Sequence, residues 1–283
     1  MDISLLKTFL ELSQTRHFGK AASGLFLTQS AVSARVRLLE EELGVKLFAR
    51  DRNNIHLTPA GIRFQRYAES IIETWNRARQ DTALEDESKV LLSVGGTHSL
   101  WDIGLQHWLF DIQDYKELAF KIEALTPENI FRGLNNGSID LGFMFESPQT
   151  KNIEVQEIGK TELVLVSTHK KFNTVAAVSQ SDYIMIDWGT DFLTAHARHF
   201  SEIPPPNIRI GLGHLGLNFL LAKGGSAYLA RNMIQDLLKD GRLVVIEEAP
   251  IIVRKIYAGY SDNCTRLDVV NRVIEAFSKQ KYF

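Results

Sequence analysis

Gln29, Ser33 and Arg37 recur at every fourth position of one segment, so on a helix an amide, a hydroxyl and a guanidinium fall in a single stripe. These are groups that hydrogen-bond to base edges and phosphates: glutamine can pair adenine at two atoms, serine reaches a base edge or a phosphate, and arginine pairs with guanine or phosphate. Val32, Val36, Leu39 and Leu43 form the apolar counterpart of that stripe and are expected to point inward. Thr28 precedes the segment as an N-cap, its hydroxyl able to take an otherwise unpaired amide. A second set follows at once. Arg50, Arg52 and His56 lie within residues 45–57, which read as a hairpin with Asn53 and Asn54 supplying the positive-φ residues of its turn. Arginines on such a tip can meet phosphate or enter the minor groove.

The elements that must hold these groups are legible around them. Leu5, Leu6, Phe9, Leu10 and Leu12 predict a helix over 2–13, and Phe18, Ala21, Ala22 and Leu25 a second, short one whose paired alanines permit close helix crossing. Phe26 and Leu27 are the turn into the third helix, which runs from Gln29 to about Glu42 and is stopped by Gly44. Two short helices about a tight turn, followed by a basic hairpin, make a winged helix-turn-helix, an arrangement that presents one helix to the major groove of double-stranded DNA. Thr58 and Pro59 then start a long helix expected to reach about Ser88. Its Ile62, Phe64, Tyr67, Ala68, Ile71, Ile72, Trp75 and Ala78 form a broad apolar face, for which the same helix of a second copy is the expected partner.

Charge follows the same division. The first 66 residues hold ten Lys or Arg against six Asp or Glu, and the remaining 217 hold 22 against 28, so the net charge of −2 conceals a basic head on an acidic body. Cys264 is the one cysteine, so no intrachain disulfide forms. The N-terminus has no basic leader and no apolar run approaches ~20 residues, so a cytoplasmic chain that does not span a membrane is expected.

From Val90 onward, short apolar runs alternate with helical patterns, which predicts an α/β fold. VLLSVGG, ELAFKIEAL, IDLGFMF, ELVLVST, YIMID, NIRIGL, SAYLA, RLVVI and IIVRKIYAGY are the candidate strands. Gly211, Gly213 and Gly216 match GxGxxG between a strand and a helix, and this carries the alternative reading, an NADP-binding oxidoreductase with Arg231 near a 2′-phosphate. About 70 residues follow the motif, too few for a six-stranded nucleotide domain, and Gly224-Gly225 interrupts the helix early. His196 and His199 are three apart but lack an adjacent Glu or Cys to complete a metal shell. No catalytic residues, metal or cofactor are expected. A free solute-binding protein would suit the body but not the head.

The segments MDISLLKTFLEL, FGKAA, LTQSAVSARVRLLEEELGVKLF and LTPAG resemble the DNA-binding head of the LysR-type transcriptional regulators, nearly continuously over the first 65 residues. The resemblance implies a homodimer or homotetramer on promoter DNA, divided into a DNA-binding domain (1–60), a linker and dimerisation helix (61–89) and a two-lobed, periplasmic-binding-protein-like effector domain (90–283). Gln29, Ser30 and Ser33 are then expected to contact base or backbone, with Thr28, Arg35 and Arg37 beside them and Arg50 and Arg52 on the wing. The sequence departs at Ala34, where the family often carries arginine. RHFGKAA, LTQSAVS, RNNI and SLW resemble the HdfR-like members, which implies flagellar or motility genes as targets.

The same resemblance divides the body into lobe I (about 90–164 and 263–283) and lobe II (about 165–262), with a small-molecule effector between them where helix amides favour an anion. Thr97, His98, Ser99 and Trp101, with Phe145 and Glu146, are the candidates from one lobe, and Trp188, Asp191 and His214 from the other. The aromatic side chains among them suggest an aromatic or partly apolar ligand, or a cleft plugged by its own side chains, beside the anionic character that the helix amides favour.

Overall fold

The structure, a computed structural model, describes residues 2–51, 54–83, 89–111, 115–147, 151–169, 175, 182–200 and 206–279. The chain divides into two compact units, residues 1–85 and 86–283.

The first unit is built from α1 (Ile3–Thr15), α2 (Phe18–Gly24), α3 (Gln29–Leu43), the hairpin of β1 (Phe48–Asp51) and β2 (Asn54–Leu57), and α4 (Pro59–Thr82). Each of its helices begins at a residue that can take an orphan amide. Asp2 accepts from the Ser4 amide, the His17 ring from those of Gly19 and Lys20, Thr28 from Ala31, and Thr58 from Gly61. Leu6, Phe9, Leu12, Ala21, Val32 and Leu39 are shielded from solvent in one core, onto which Phe64, Ile71 and Ile72 of α4 pack. Full burial of such a leucine is worth about 1.5–3 kcal/mol, which is what draws the three helices together. The paired alanines lie where α2 meets its neighbours, both buried.

Three details differ from the sequence pattern. Leu43, expected inside, is 37% exposed, because Gly44 (φ +68°) ends the helix and the chain turns away there. Asn54 stands in β2 opposite Asp51 and not in the turn, while residues 52–53 lie outside the described residues. Finally, α4 ends at Thr82, short of Ser88. Residues 84–88, the rest of the expected helix, lie outside the described residues.

The second unit carries one mixed sheet in the order β4-β3-β5-β11-β6-β9-β7-β8, with the short β10 (Val244–Val245) paired to β6. Its strands are β3 (Val90–Thr97), β4 (Leu118–Leu125), β5 (Leu141–Met144), β6 (Ile153–Ser167), β7 (Tyr183–Ile186), β8 (Ile208–Ile210), β9 (Ser226–Ala230) and β11 (Ile252–Ser261). Two parallel groups, β4-β3-β5 and β9-β7-β8, lie on either side of the antiparallel pair β6 and β11. Each group is the centre of a lobe. Tyr257–Gly259 of β11 pair with β5, and Leu163–Ser167 of β6 pair with β9. The pairing of β11 with β6 shifts register at Ile256/Tyr257, next to the residues that pair with β5. Strands β3, β5, β7 and β9 are almost wholly buried, as parallel strands covered by helices must be.

Helices follow the strands: α5 (His98–Leu100), a π-helical turn (Trp101–Leu105) and α6 (Gln106–Asp111) after β3, then α7 (Pro127–Asn136), α8 (Thr190–His199), α9 (Gly213–Lys223), α10 (Gln235–Lys239) and α11 (Leu267–Lys279). Trp108, Phe143 and Phe277 cluster in lobe I, and Phe192, Phe200 and Tyr228 in lobe II. Among the described residues no helix is long and apolar enough to cross a membrane.

Candidate nucleic-acid interface and interlobe cleft

Helix α3 separates its two stripes as its spacing requires. Val32, Val36 and Leu39 are buried, while Gln29, Ser30, Ala34 and Arg37 are exposed and Ser33 and Arg35 half-buried. Thr28 Oγ1 accepts the Ala31 amide at 3.2 Å and lies 3.0 Å from Ser30 Oγ, so the hydroxyls of the first turn are fixed side by side. The two arginines differ in their restraint. Arg35 Nη1 donates to Thr8 Oγ1 of α1 at 3.5 Å, whereas Arg37 Nε meets Glu41 Oε1 at 2.9 Å one turn along the same exposed surface. An exposed pair of this kind contributes about 0.3–0.5 kcal/mol, so Arg37 can be released at little cost. Arg50 stands in β1 opposite Ile55; its side chain and the whole of Arg52 lie outside what is described.

The wing is tied to α3 by a residue that the sequence reading did not single out. Glu40 is buried, and its Oε1 accepts the Leu47 amide at 2.9 Å and the Phe48 amide at 3.2 Å while Oε2 meets Lys46 Nζ at 2.7 Å. Burial pushes its carboxyl up, but the Lys46 and backbone hydrogen bonds together hold it below the ordinary range. Thr58 Oγ1 adds a donor to the Lys46 carbonyl at 2.7 Å, joining the end of the hairpin back to its start. The signal for Glu40 was the acid itself, next to Leu39 on the buried side of an otherwise apolar stripe.

The turn before α3 contains a strained residue. Phe26 has φ +55° and is 96% exposed. The backbone is held there by the Leu27 amide donating to the Ala22 carbonyl at 2.8 Å. A bulky side chain in the left-handed region costs roughly 1–2 kcal/mol, and this one is offset by no burial.

In the second unit a cavity of about 200 Å³ opens between the lobes. Thr97, His98, Ser99, Phe145 and Glu146 line it from lobe I, and Asp187, Gly189 and Gly211 from lobe II. Five of the nine candidate cleft residues are thereby brought together. The other four are placed differently, Asp191 standing exposed 3.7 Å from Arg254. Trp101 Nε1 donates to the carbonyls of Gly96 and Glu123, which lays the indole over lobe I. Trp188 is fully buried, its Nε1 donating to the Tyr228 carbonyl at 2.9 Å as part of the lobe II core. His214 is bound by lobe I: its amide donates to Asp102 Oδ2 at 2.9 Å, and its Nδ1 lies 3.1 Å from Asp102 Oδ1. Asp102 therefore caps α9 from across the cleft, and Asn232 Nδ2 donates to the Ile103 carbonyl at 2.8 Å beside it.

Arg254 is the third tie between lobes. It is 3% exposed, stacks 4.6 Å from the Phe145 ring centroid, donates Nη1 to the Trp188 carbonyl at 2.7 Å, and has Nη2 3.4 Å from Glu146 and 3.7 Å from Asp191. Only its polar character within the run IIVRKIYAGY could have marked it in the sequence.

The glycine motif has a packing role. A Cβ on Gly216 would stand 2.4 Å from Ile186, and one on Gly213 2.6 Å from the Trp188 ring, so both glycines let α9 approach β7 and the indole. The helix N-terminus that a pyrophosphate would need is already occupied by Asp102. His196 likewise belongs to the core: its Nε2 is 2.8 Å from the Tyr183 hydroxyl, and burial, with His199 second, depresses its pKa. Among the described residues no group of three or more His, Cys, Asp or Glu is placed to hold a metal ion.

Residues 3–62 match the bacterial regulatory helix-turn-helix protein, lysR family, and residues 89–281 match the LysR substrate binding domain. The chain belongs to the LysR family. It is 34% identical over 290 residues to the HTH-type transcriptional regulator HdfR of Yersinia enterocolitica, covering 97% of this chain and 96% of that protein. The same identity is found to HdfR of Yersinia pestis over 284 residues, with the same coverage. In fold it is similar to CbnR, a LysR family transcriptional regulator, with a TM-score of 0.74 at 19% identity over 99% of this chain and 100% of that one. This LysR-type protein is therefore a transcriptional regulator with a helix-turn-helix head and an effector-binding domain, and the oxidoreductase alternative falls.

Proposed function

We propose that this LysR-type regulator binds promoter DNA as a homodimer or homotetramer, and that a small molecule in the interlobe cleft modulates that binding. In this reading Thr28, Gln29, Ser30 and Ser33 face base edges and backbone, Arg35 and Arg37 flank them, and Arg50 and Arg52 contact phosphate from the wing. The observation that carries it is the exposed, Thr28-capped first turn of α3, where Gln29 and Ser30 are covered by none of the described residues of their own unit. Subunit pairing is assigned to α4, on which Ile62, Tyr67 and Trp75 are 60%, 64% and 45% exposed while Phe64, Ile71 and Ile72 serve the head. Flagellar or motility promoters, which the resemblance to HdfR-like members implies, are the proposed targets.

Genome-wide mapping of bound DNA, followed by titration of a recovered site with variants, tests the whole reading. Gln29→Ala should erode discrimination between sites by about 1–3 kcal/mol, whereas Arg50→Ala and Arg52→Ala should weaken binding to all DNA and reduce the salt slope by about one each. Unchanged affinity, specificity and salt slope in all three variants would sink the interface. Recovered sites without motility genes would remove that target while leaving the rest.

A further inference from the structure

The cleft has walls of opposite electrostatic character. On the lobe I side the helical run that begins at His98 presents its first amides, which have no acceptor inside the helix. Thr97, at its N-cap, is only 8% exposed, and its Oγ1 makes no cap bond and has no hydrogen-bond partner among the described residues. Leaving such a hydroxyl buried and unpaired is costly, so an occupant bearing an acceptor gains by meeting it. From lobe II, Gly189 opens the ten-residue α8 without any side chain to cap it, adding a second set of helix amides.

Against these donors stand two acids. Glu146 and Asp187 line the same cavity, and among its described lining residues there is no lysine or arginine. Asp187 is exposed, and among the described residues its Oδ1 accepts the amide of Gly189 two residues on. Glu146 meets Arg254, but that guanidinium is buried behind Phe145 and does not line the cavity. A simple anion would confront two carboxylates, and a simple cation would leave Thr97 and the helix ends unanswered.

We infer that the cleft binds a small zwitterion of the α-amino-acid type, its carboxylate toward Thr97 and Ser99 and its ammonium toward Glu146 and Asp187. A volume of about 200 Å³ lies below the ~300–1,000 Å³ of pockets for drug-sized ligands. The rest of the lining includes the apolar Leu125, Pro127 and Phe145, which suit an uncharged side chain, beside His98 and Thr126. This inference rests on the cleft being the effector site, and it replaces the expected anionic or aromatic ligand with one that carries both charges.

The test is calorimetric titration of the full-length protein with three matched probe series: the twenty common α-amino acids, the amines that lack their carboxylate, and the acids that lack their ammonium. At least one amino acid with an uncharged side chain should saturate the protein, and loss of either charge should weaken binding about tenfold or more. Glu146→Gln and Asp187→Asn should weaken the amino acid and, by removing a repelling carboxylate, leave the matching acid no weaker or somewhat tighter, and Thr97→Val should weaken both. Glu146→Gln also loosens Arg254, so the exposed Asp187→Asn keeps the test decisive if the first variant folds poorly. An acid that binds as tightly as its amino acid overturns the zwitterion. So does failure of all three series, and promoter footprinting with and without a metabolite extract of the source cells then separates the readings. A footprint that shifts with the extract keeps the effector site and discards the amino-acid class; one that does not shift discards both.

Discussion

Each unit of the protein uses a buried charged side chain to join separate segments, Glu40 in the head and Arg254 in the body, and the two are used differently. Glu40 in the head accepts two backbone amides and a lysine from a segment six to eight residues away, so it fixes a hairpin to the helix just before it. Arg254 in the body spans sequence separations of 66 and 108 residues and touches both lobes at once. The head is thereby a unit with one arrangement, suited to presenting Gln29 and Ser30 to a rigid groove. The body is two lobes joined by the shared strands β6 and β11, with polar ties across the cleft that a ligand bound there could compete with. Rigid reading and adjustable sensing call for these different uses of a buried charge.

The largest expected effect comes from breaking the tie between lobes. Arg254→Ala leaves Glu146 and the Trp188 carbonyl without their buried partner and should cost the body about 3–5 kcal/mol in denaturant unfolding, with the unfolding of the head unmoved. A shift of both transitions would mean that the two units do not unfold separately. Glu40→Ala is next. It strands the Leu47 and Phe48 amides, and a loss of about 2–4 kcal/mol confined to the head, with weaker promoter binding, is the expected result; unaltered thermal unfolding would show that the wing stands without it.

Acidification should separate the units in a graded way. Burial keeps His196 neutral in the fold, so as pH falls below about 6.5 the unfolded chain takes a proton that the folded body resists, and the body loses stability. The Glu40 carboxyl is held below its ordinary range, so its contribution is full above about 4.3 and is lost only as pH falls further through the folded value. Melting curves from pH 8 to 4 should show the body weakening first, and His196→Phe should remove the upper part of that decline. The smallest effect concerns the strained turn. Phe26→Asn exchanges a bulky residue at φ +55° for one that tolerates it, and stability should stay level or rise by up to about 1 kcal/mol. A clear loss would show that the phenyl has a contact within its own unit.

The head was far more legible than the body. Its caps and breaks, Thr28, Gly44, Thr58 and Pro59, act through groups within a few residues, so the third helix and the start of the fourth could be placed from local chemistry. In the body, the first part of β6 escaped detection. Residues 153–161, IEVQEIGKT, are polar and only partly covered, because a strand that passes between lobes lacks the two helical layers that make the others apolar. The cleft was legible in half. The hydroxyls after β3 could be found because they open a helix, whereas Trp188 and His214 looked equally exposed in sequence and proved to be occupied by Tyr228 and Asp102.

From sequence alone came the family, the α/β class of the body and the division of α3 into a packing stripe and a polar stripe, because periodicity, capping and turn chemistry depend on near neighbours. Tertiary structure alone decided that Glu40 holds the wing, that Asp102 caps a helix 112 residues away, and that Arg254 ties the lobes. The physical reason is that a buried polar atom is stable only against a partner, and nothing local in the chain states which distant segment will supply one.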